Sequence, residues 1–77
     1  MSDFSRNLLR LRAEKNLTQE ELAKRVGITQ AAIGQYEKGA ASPKISIAVM
    51  LAQTLGVSVE ELYGESEEET DIGTEDL

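Results

Sequence analysis

Two glutamines, Gln30 and Gln35, lie close together in the chain. The residues between them include three small ones, Ala31, Ala32 and Gly34. A primary amide both donates and accepts hydrogen bonds, so Gln30 can pair bidentately with the major-groove edge of an adenine. An alanine methyl group can contact the methyl group of a thymine. These five residues are candidates for direct contact with DNA bases if the element that carries them enters the major groove, and the stretch around them must show whether it does.

The residue types that most catalytic and metal sites require are missing from the chain. It has no Cys and no His, which excludes disulfides, zinc fingers, cysteine nucleophiles and histidine acid–base chemistry. There is no Gly-rich phosphate loop and no ordered carboxylate cluster, and the acidic residues do not have the spacing of an EF-hand. We therefore expect no enzyme activity, no cofactor and no metal ion.

The candidate residues belong to a stretch, 18–39, that predicts two short helices joined by a tight turn. The first helix is predicted over residues 19–26, the turn over 27–29 and the second helix over 30–38. Thr18 and Glu21 have the spacing of a capping box, and Thr29 can cap the second helix. Gly27 can end the first helix with a positive φ. The small Ala23 lets the two helices cross closely, which favours a helix-turn-helix over a plain αα-hairpin.

The stretch 18–39 resembles the helix-turn-helix of the lambda-type phage repressor and Cro family, often called the XRE family of bacterial regulators. The resemblance extends over most of residues 5–63. The matching residues within the motif are Gln19, Leu22, Ala23, Gly27, Ile33, Glu37 and Gly39. Outside it they are Leu8, Leu11, Arg12, Pro43, Ala52, Leu55, Gly56 and Leu62. The resemblance implies an all-α, compact five-helix domain of the lambda repressor-like DNA-binding class, whose second motif helix enters the major groove.

The resemblance also implies roles for individual residues. Gln30 matches a position that contacts bases in the family, and Gln19 matches one that binds a phosphate at a helix N-terminus. Arg12 would pair with Glu37 and tie the first helix to the third, although a solvated Arg12 is the alternative. Lys24 and Arg25 are explained equally well as solvated side chains. The full set of candidate phosphate contacts is Thr18, Gln19, Lys38, Lys44 and Arg10.

The chain departs from the family at two places. Relatives often carry longer polar residues at the positions of Ala31, Ala32 and Gly34, and basic residues where this chain has Ala40 and Ala41. We therefore expect modest affinity and modest specificity for DNA.

Three further helices are predicted around the motif. The first covers residues 3–15 and buries Phe4, Leu8 and Leu11, with Leu9 partly exposed. The fourth covers residues 43–55, with Ser42 as its cap and Pro43 as its first residue. The fifth covers residues 59–63 behind a second capping box, Ser58 and Glu61. The core stripe expected on the fourth helix is Ile45, Ala48, Ala52 and Leu55, with Leu51 at its edge.

A second apolar face of the fourth helix carries Ile47 and Met50. Single exposed apolar residues are common on monomers, so this face need have no role. The alternative is a homodimer contact that involves the end of the fourth helix and the fifth helix, because members of the family usually bind DNA as two-fold dimers.

Charge divides the chain into a domain, residues 1–64, and an acidic tail, residues 65–77. The net charge is −6, yet all eight Lys and Arg and only seven of the fourteen Asp and Glu lie within residues 1–63. The tail holds the other seven acids and few apolar residues, so we expect it to be disordered. It would be a solubilising segment, an electrostatic competitor of DNA phosphates or a link to a protein partner.

The predicted function is a sequence-specific transcriptional regulator of double-stranded DNA, in its simplest form a repressor. The alternative is a protein-interaction module, such as the antitoxin of a toxin–antitoxin pair. No apolar run approaches the ~20 residues that span a bilayer, and no signal peptide is visible. We therefore expect a cytoplasmic protein.

Overall fold

The computed structural model of the chain describes residues 3–64. Within this range the chain forms five α-helices and no strand, which confirms the predicted all-α fold. None of the helices has the combination of length and apolar character that crossing a membrane requires. The tail, 65–77, and the proposed boundary after residue 64 lie outside the described residues. The helices are α1 (Asp3–Glu14), α2 (Gln19–Val26), α3 (Gln30–Lys38), α4 (Ile45–Leu55) and α5 (Val59–Tyr63).

The helices enclose one apolar core to which every helix contributes. α1 packs against α3 and α5, α2 packs against α3 and α4, and α4 packs against α5. α3 is thereby held between α1 and α2, with one face inward and the other outward. The buried apolar residues are Phe4, Leu8, Leu11, Leu22, Ala23, Val26, Ile33, Ala48, Leu51, Ala52, Leu55 and Leu62.

The bounds of α2 and α3 follow from the caps that the sequence predicts. The Thr18 hydroxyl accepts from the Glu21 backbone N–H at 3.0 Å, and the Glu21 carboxylate accepts from the Thr18 backbone N–H at 2.8 Å. The second of these bonds holds the pKa of Glu21 below its ordinary value. Gly27 ends α2 at φ 85°, and the Thr29 hydroxyl accepts from the Ala32 backbone N–H. The predicted helix-turn-helix is therefore confirmed residue by residue.

The predicted start of the fourth helix is wrong. α4 begins at Ile45, and its N-cap is Lys44, which makes no side-chain capping hydrogen bond. The sequence signal from Ser42 and Pro43 fails because the fixed φ of proline suits an extended approach to a helix as well as its first turn. The first helix also ends one residue earlier than predicted, at Glu14, and Asn16 takes a left-handed φ of 59°.

The core stripe predicted on the fourth helix needs two corrections. Ile45 is 71% exposed, because it is the first residue of α4 and extends beyond the core. Leu51 is fully buried, because it lies three residues after Ala48 and four before Leu55, at the centre of the inward face. Burial in α4 therefore begins one turn later than the sequence pattern indicates.

Two buried polar side chains, which the sequence did not single out, fix α1 against its neighbours. The Asn7 amide nitrogen donates to backbone oxygens at the end of α5, with the shortest distance 2.8 Å to the Gly64 oxygen. The Ser5 hydroxyl donates to the Tyr36 backbone oxygen at 2.6 Å. α5 itself begins and ends where predicted, behind the capping box of Ser58 and Glu61.

Candidate nucleic-acid interface

A concave surface of about 450 Å³ lies between the first residue of α2 and the outward face of α3. α3 places residues on this surface by its own periodicity: Ile33 and Glu37 face the core, so residues on the opposite side face outward. Four of the five candidate base contacts come together there. The lining residues are Gln19, Gln30, Ala31, Gly34, Gln35 and Lys38.

Ala32, the fifth candidate, is not part of the lining. It is half-buried, and it lies about 100° further round α3 than Ala31, on the flank of the helix. Its backbone N–H is engaged by the Thr29 cap at 3.1 Å. The structure therefore separates Ala32 from the other four candidates.

A largely buried ion pair lies beneath the concave surface. The Arg12 Nε donates to Glu37 Oε2 at 2.6 Å, and Arg12 Nη2 donates to Glu37 Oε1 at 3.2 Å. The two side chains are only 16% and 6% exposed. Arg12 Nη1 also donates to the Leu17 backbone oxygen at 2.7 Å. This bidentate contact joins α1, α3 and the segment that leads into α2.

Gln19 connects this ion pair to the surface. Its Nε2 donates to Glu37 Oε1 at 2.9 Å, and its Oε1 accepts from Gln30 Nε2 at 3.4 Å. A carboxylate only accepts hydrogen bonds, so Glu37 turns the NH₂ group of Gln19 inward and its oxygen outward. That oxygen accepts from one N–H of Gln30, so the second N–H and the oxygen of the Gln30 amide are available for a further contact.

The candidate phosphate contacts are not all in one place. Lys38 is exposed and lines the concave surface beside Gln19, whereas Lys44 is exposed at the start of α4. The hydroxyl and backbone N–H of Thr18 are both used by the capping box. Arg10 pairs with Glu14 at 3.2 Å, and it lies about 200° round α1 from Arg12, away from the Glu37 contact.

The two candidate dimer residues differ in burial. Ile47 is half-buried and packs against the core, whereas Met50 is 41% exposed. α4, which carries both, packs against α2 and α5. Met50 is thus the more accessible of the two.

Gly34 lies in ordinary helical backbone, so replacing it with alanine should stabilise the fold. A Cβ at this position would be 3.7 Å and 3.8 Å from the amide atoms of Gln19, which is normal contact distance. We expect Gly34→Ala to raise the free energy of unfolding by up to about 1 kcal/mol, because alanine favours the helix interior. Urea denaturation measures this change.

Gly27→Ala is the control for this substitution. Apart from its chain neighbours, no atom lies within 4 Å of a Cβ at residue 27, but the φ of +85° strains a residue that has a Cβ, so this variant should lose about 1–2 kcal/mol. A Gly34→Ala variant less stable than the original chain would mean that the Gln19 side chain cannot accommodate the added methyl group.

The sequence predicts the residues that line the concave surface but not the bridging role of Gln19. Gln19 is predicted only as a phosphate contact, whereas its amide lies between Glu37 and Gln30. One signal for this role is present in the sequence: Glu37 is an acidic residue one position after Tyr36 on the inward side of α3. A carboxylate there needs donors from neighbouring helices.

Comparisons with known proteins identify the family of the chain. A family model described as Helix-turn-helix matches residues 8–62. Over 68 residues the chain is 44% identical to the uncharacterized HTH-type transcriptional regulator y4dJ of Sinorhizobium fredii, covering 88% of this chain and 87% of that protein. It is 40% identical to the cryptic phage CTXphi transcriptional repressor RstR of Vibrio cholerae, again over 88% of this chain but only 61% of the relative. The chain thus spans less than two thirds of that repressor.

Solved structures show the same fold. The restriction-modification controller protein C.AhdI of Aeromonas hydrophila superposes with a TM-score of 0.75 at 31% identity, covering 79% of this chain and 92% of that one. The SOS-response transcriptional repressor LexA of Eubacterium rectale gives a TM-score of 0.79 at 28% identity, with 83% and 68% covered. The chain belongs to the helix-turn-helix family of DNA-binding transcriptional regulators that includes the lambda-type repressor and Cro proteins.

Proposed function

We propose that the protein is a repressor that binds a palindromic operator as a homodimer, with α3 of each protomer in the major groove. The observation that carries this proposal is the outward face of α3. There the Gln30 amide, which is hydrogen-bonded to Gln19, lies on one concave surface with small residues and a lysine. Bound across a promoter, such a dimer would block access of RNA polymerase. We place the protein in the cytoplasm, where its DNA target would be.

Base recognition would centre on Gln30. Its amide is held by Gln19 in an orientation that leaves one N–H and the oxygen for the N7 and N6 groups of an adenine. Gln35 is exposed one turn further along the helix and would contact a neighbouring base. Ala31, Gly34 and the flanking Ala32 would lie close to the base edges.

Backbone contacts would position α3 in the groove. Gln19 lies at the N-terminus of α2, where free backbone N–H groups and the helix dipole favour a phosphate. The backbone N–H of Thr18 is bonded to Glu21, so Thr18 would donate to a phosphate through its hydroxyl hydrogen. Glu20 and Glu21 in the same turn oppose this attraction. Lys38 and Lys44 supply exposed positive charge beside α3, while Arg10 would have to leave Glu14 to take part.

Dimerisation would use the outer face of α4, through Met50 and the half-buried Ile47. Met50 lies on α4, a helix separate from the DNA-facing α3, so a contact there leaves the concave surface open. Two protomers would then present two α3 helices to half-sites about one helical turn apart, as two-fold helix-turn-helix dimers do.

DNA selection from a random duplex pool at two salt concentrations tests this proposal. We expect a palindromic motif with half-sites about 10 base pairs apart, and binding that weakens steeply as salt displaces the lysine–phosphate contacts. An enriched motif without two-fold symmetry would contradict the dimer. If no motif were enriched, or binding were indifferent to salt, the proposal would fail and the fold would serve as a protein-interaction module.

Gln30→Ala should relax base preference at one position of each half-site. Loss of a bidentate amide–adenine pair removes about 1–3 kcal/mol of discrimination at that position and leaves the rest of the motif intact. Competition binding with single-base variants of the selected site measures the effect. Lys24→Ala, a substitution at an exposed residue of α2 outside the proposed base and dimer contacts, is the control: losing its charge can change the affinity for all sites together but should leave every base preference in place. An unchanged ranking in Gln30→Ala would remove Gln30 from the base contacts.

A further inference from the structure

We propose that Ala31 and Gly34 form an apolar floor that recognises the C5-methyl group of a pyrimidine in the major groove. This inference rests on the proposed binding of DNA through α3 and names the chemical group that its small residues select. The ligand is a methyl group on C5, whether of thymine or of 5-methylcytosine.

The floor exists because residue 34 has no side chain. Ala31 and Gly34 are three apart on α3 and adjacent on its outward face, between Gln30 on one side and Gln35 on the other. A Cβ on residue 34 would lie 3.7 Å and 3.8 Å from the Gln19 amide. The space beside Gln19 is therefore the space that a side chain at residue 34 would occupy.

Neither backbone conformation nor packing requires a glycine at this position. Three glycines in the described residues have a positive φ, namely Gly27, Gly39 and Gly56, and Gly34 is not among them. No atom of a neighbouring element comes closer than 3.7 Å to a Cβ at residue 34. A glycine inside a helix costs stability relative to alanine. The open space on the DNA-facing surface is thus the property that Gly34 provides.

The chemistry of the floor selects a methyl group over the polar groups of a base edge. Ala31 offers a methyl group and Gly34 offers only its Cα hydrogens, and the nearest polar atoms, Nε2 and Oε1 of Gln19, are already bonded to Glu37 and Gln30. A buried N–H or oxygen of a base would therefore find no ready partner on the floor. In the major groove the C5-methyl group is the apolar feature of a base pair, whereas the remaining positions present donors and acceptors. Gln30, Gln35 and Lys38 surround the floor with hydrogen-bonding groups that suit the polar atoms on either side of such a methyl group.

The test uses the full chain and the operator obtained by selection. Each thymine of one half-site is replaced in turn by uracil, which removes only the C5-methyl group, and each cytosine by 5-methylcytosine, which adds one. Affinities are measured for the original chain, for Gly34→Ala and for Ser46→Ala. Ser46 is exposed on α4, so the last variant controls for a helix-favouring substitution away from the floor.

We expect one position at which the methyl group raises affinity about fourfold, the change expected for burying one methyl-sized group. A uracil effect would identify the source as thymine, and a 5-methylcytosine effect would identify it as the modified base. In Gly34→Ala the added Cβ occupies the floor, so the methyl effect should disappear or reverse. In Ser46→Ala it should persist.

Two results would overturn the inference while leaving DNA binding established. One is an original chain that binds all methylated and unmethylated half-sites within twofold of each other. The other is a methyl effect that stays the same or grows in Gly34→Ala. A chain that selects no operator at all would instead refute the proposed function on which the inference rests.

Discussion

Replacing Arg12 by methionine is expected to lower the free energy of unfolding by about 3–5 kcal/mol. Methionine preserves most of the side-chain volume, so the loss comes from the charge that remains. Glu37 is 6% exposed and would lose both hydrogen bonds from the guanidinium, and the Leu17 backbone oxygen would lose its donor. Such a loss is a large part of the 5–15 kcal/mol that stabilises typical domains. Urea denaturation followed by circular dichroism measures it.

The exposed ion pair on the same helix supplies the control. Arg10 and Glu14 are each 57% exposed, and solvated pairs at this spacing contribute only about 0.3–0.5 kcal/mol. The other contact of Arg10, to Asn7 Oδ1, is 3.5 Å long and therefore weak, so Arg10→Met should be nearly neutral. The double variant Arg12→Met with Glu37→Met removes both buried charges and should recover much of the stability. If Arg12→Met were no more costly than Arg10→Met, the Arg12–Glu37 pair would be a solvated contact rather than the tie between α1 and α3.

The same ion pair connects the core of the domain to the residues that we propose contact bases. Glu37 accepts from Arg12 below the surface and from Gln19 at the surface, and Gln19 in turn accepts from Gln30. The orientation of the Gln30 amide is therefore set by a carboxylate that belongs to the core. Because Glu37 remains an acceptor in Arg12→Met, the molecules of that variant that stay folded should keep the adenine preference proposed for Gln30.

Local capping signals explain which elements were predictable from the sequence. The bounds of α2, α3 and α5 were predicted correctly because each helix begins at a Thr or Ser cap whose hydrogen bonds involve residues only three positions away. The start of α4 was not predictable in this way, since Lys44 makes no side-chain capping bond. There, the packing of Ala48 and Leu51 against the other helices decides where regular burial begins.

The concave surface was predictable for a similar reason, and its hydrogen bonds were not. Gln30, Ala31, Gly34 and Gln35 face outward because Ile33 faces inward, and helical periodicity links these positions. The contact between Gln19 and Glu37 joins residues 18 positions apart on different helices. This contact forms only if α2 lies close enough to α3, and the spacing of residues along the sequence does not specify the distance between two helices.

Leu51→Ala should destabilise the domain by about 2.7–5 kcal/mol, the range measured when a buried leucine is truncated to alanine. Leu51 is fully buried on the inward face of α4, whereas its sequence pattern placed it at the edge of the stripe. Truncation removes apolar contacts with the core and leaves a cavity between α4 and its neighbours. Thermal or urea denaturation would detect the loss, and a change below about 1 kcal/mol would show that α4 is rotated from the orientation described.

Met50→Ala, one residue earlier on the same helix, tests the role of the outer face of α4. Met50 is 41% exposed, so this substitution should change the free energy of unfolding of a protomer by no more than about 0.5 kcal/mol. If Met50 lies in the proposed dimer contact, the variant should nevertheless bind a palindromic operator more weakly than the original chain while binding an isolated half-site equally well. Stability lost at Leu51 and paired DNA binding lost at Met50 would assign one face of α4 to the core and the other to the second protomer. Equal effects of Met50→Ala on full and half operators would instead assign dimerisation to another surface.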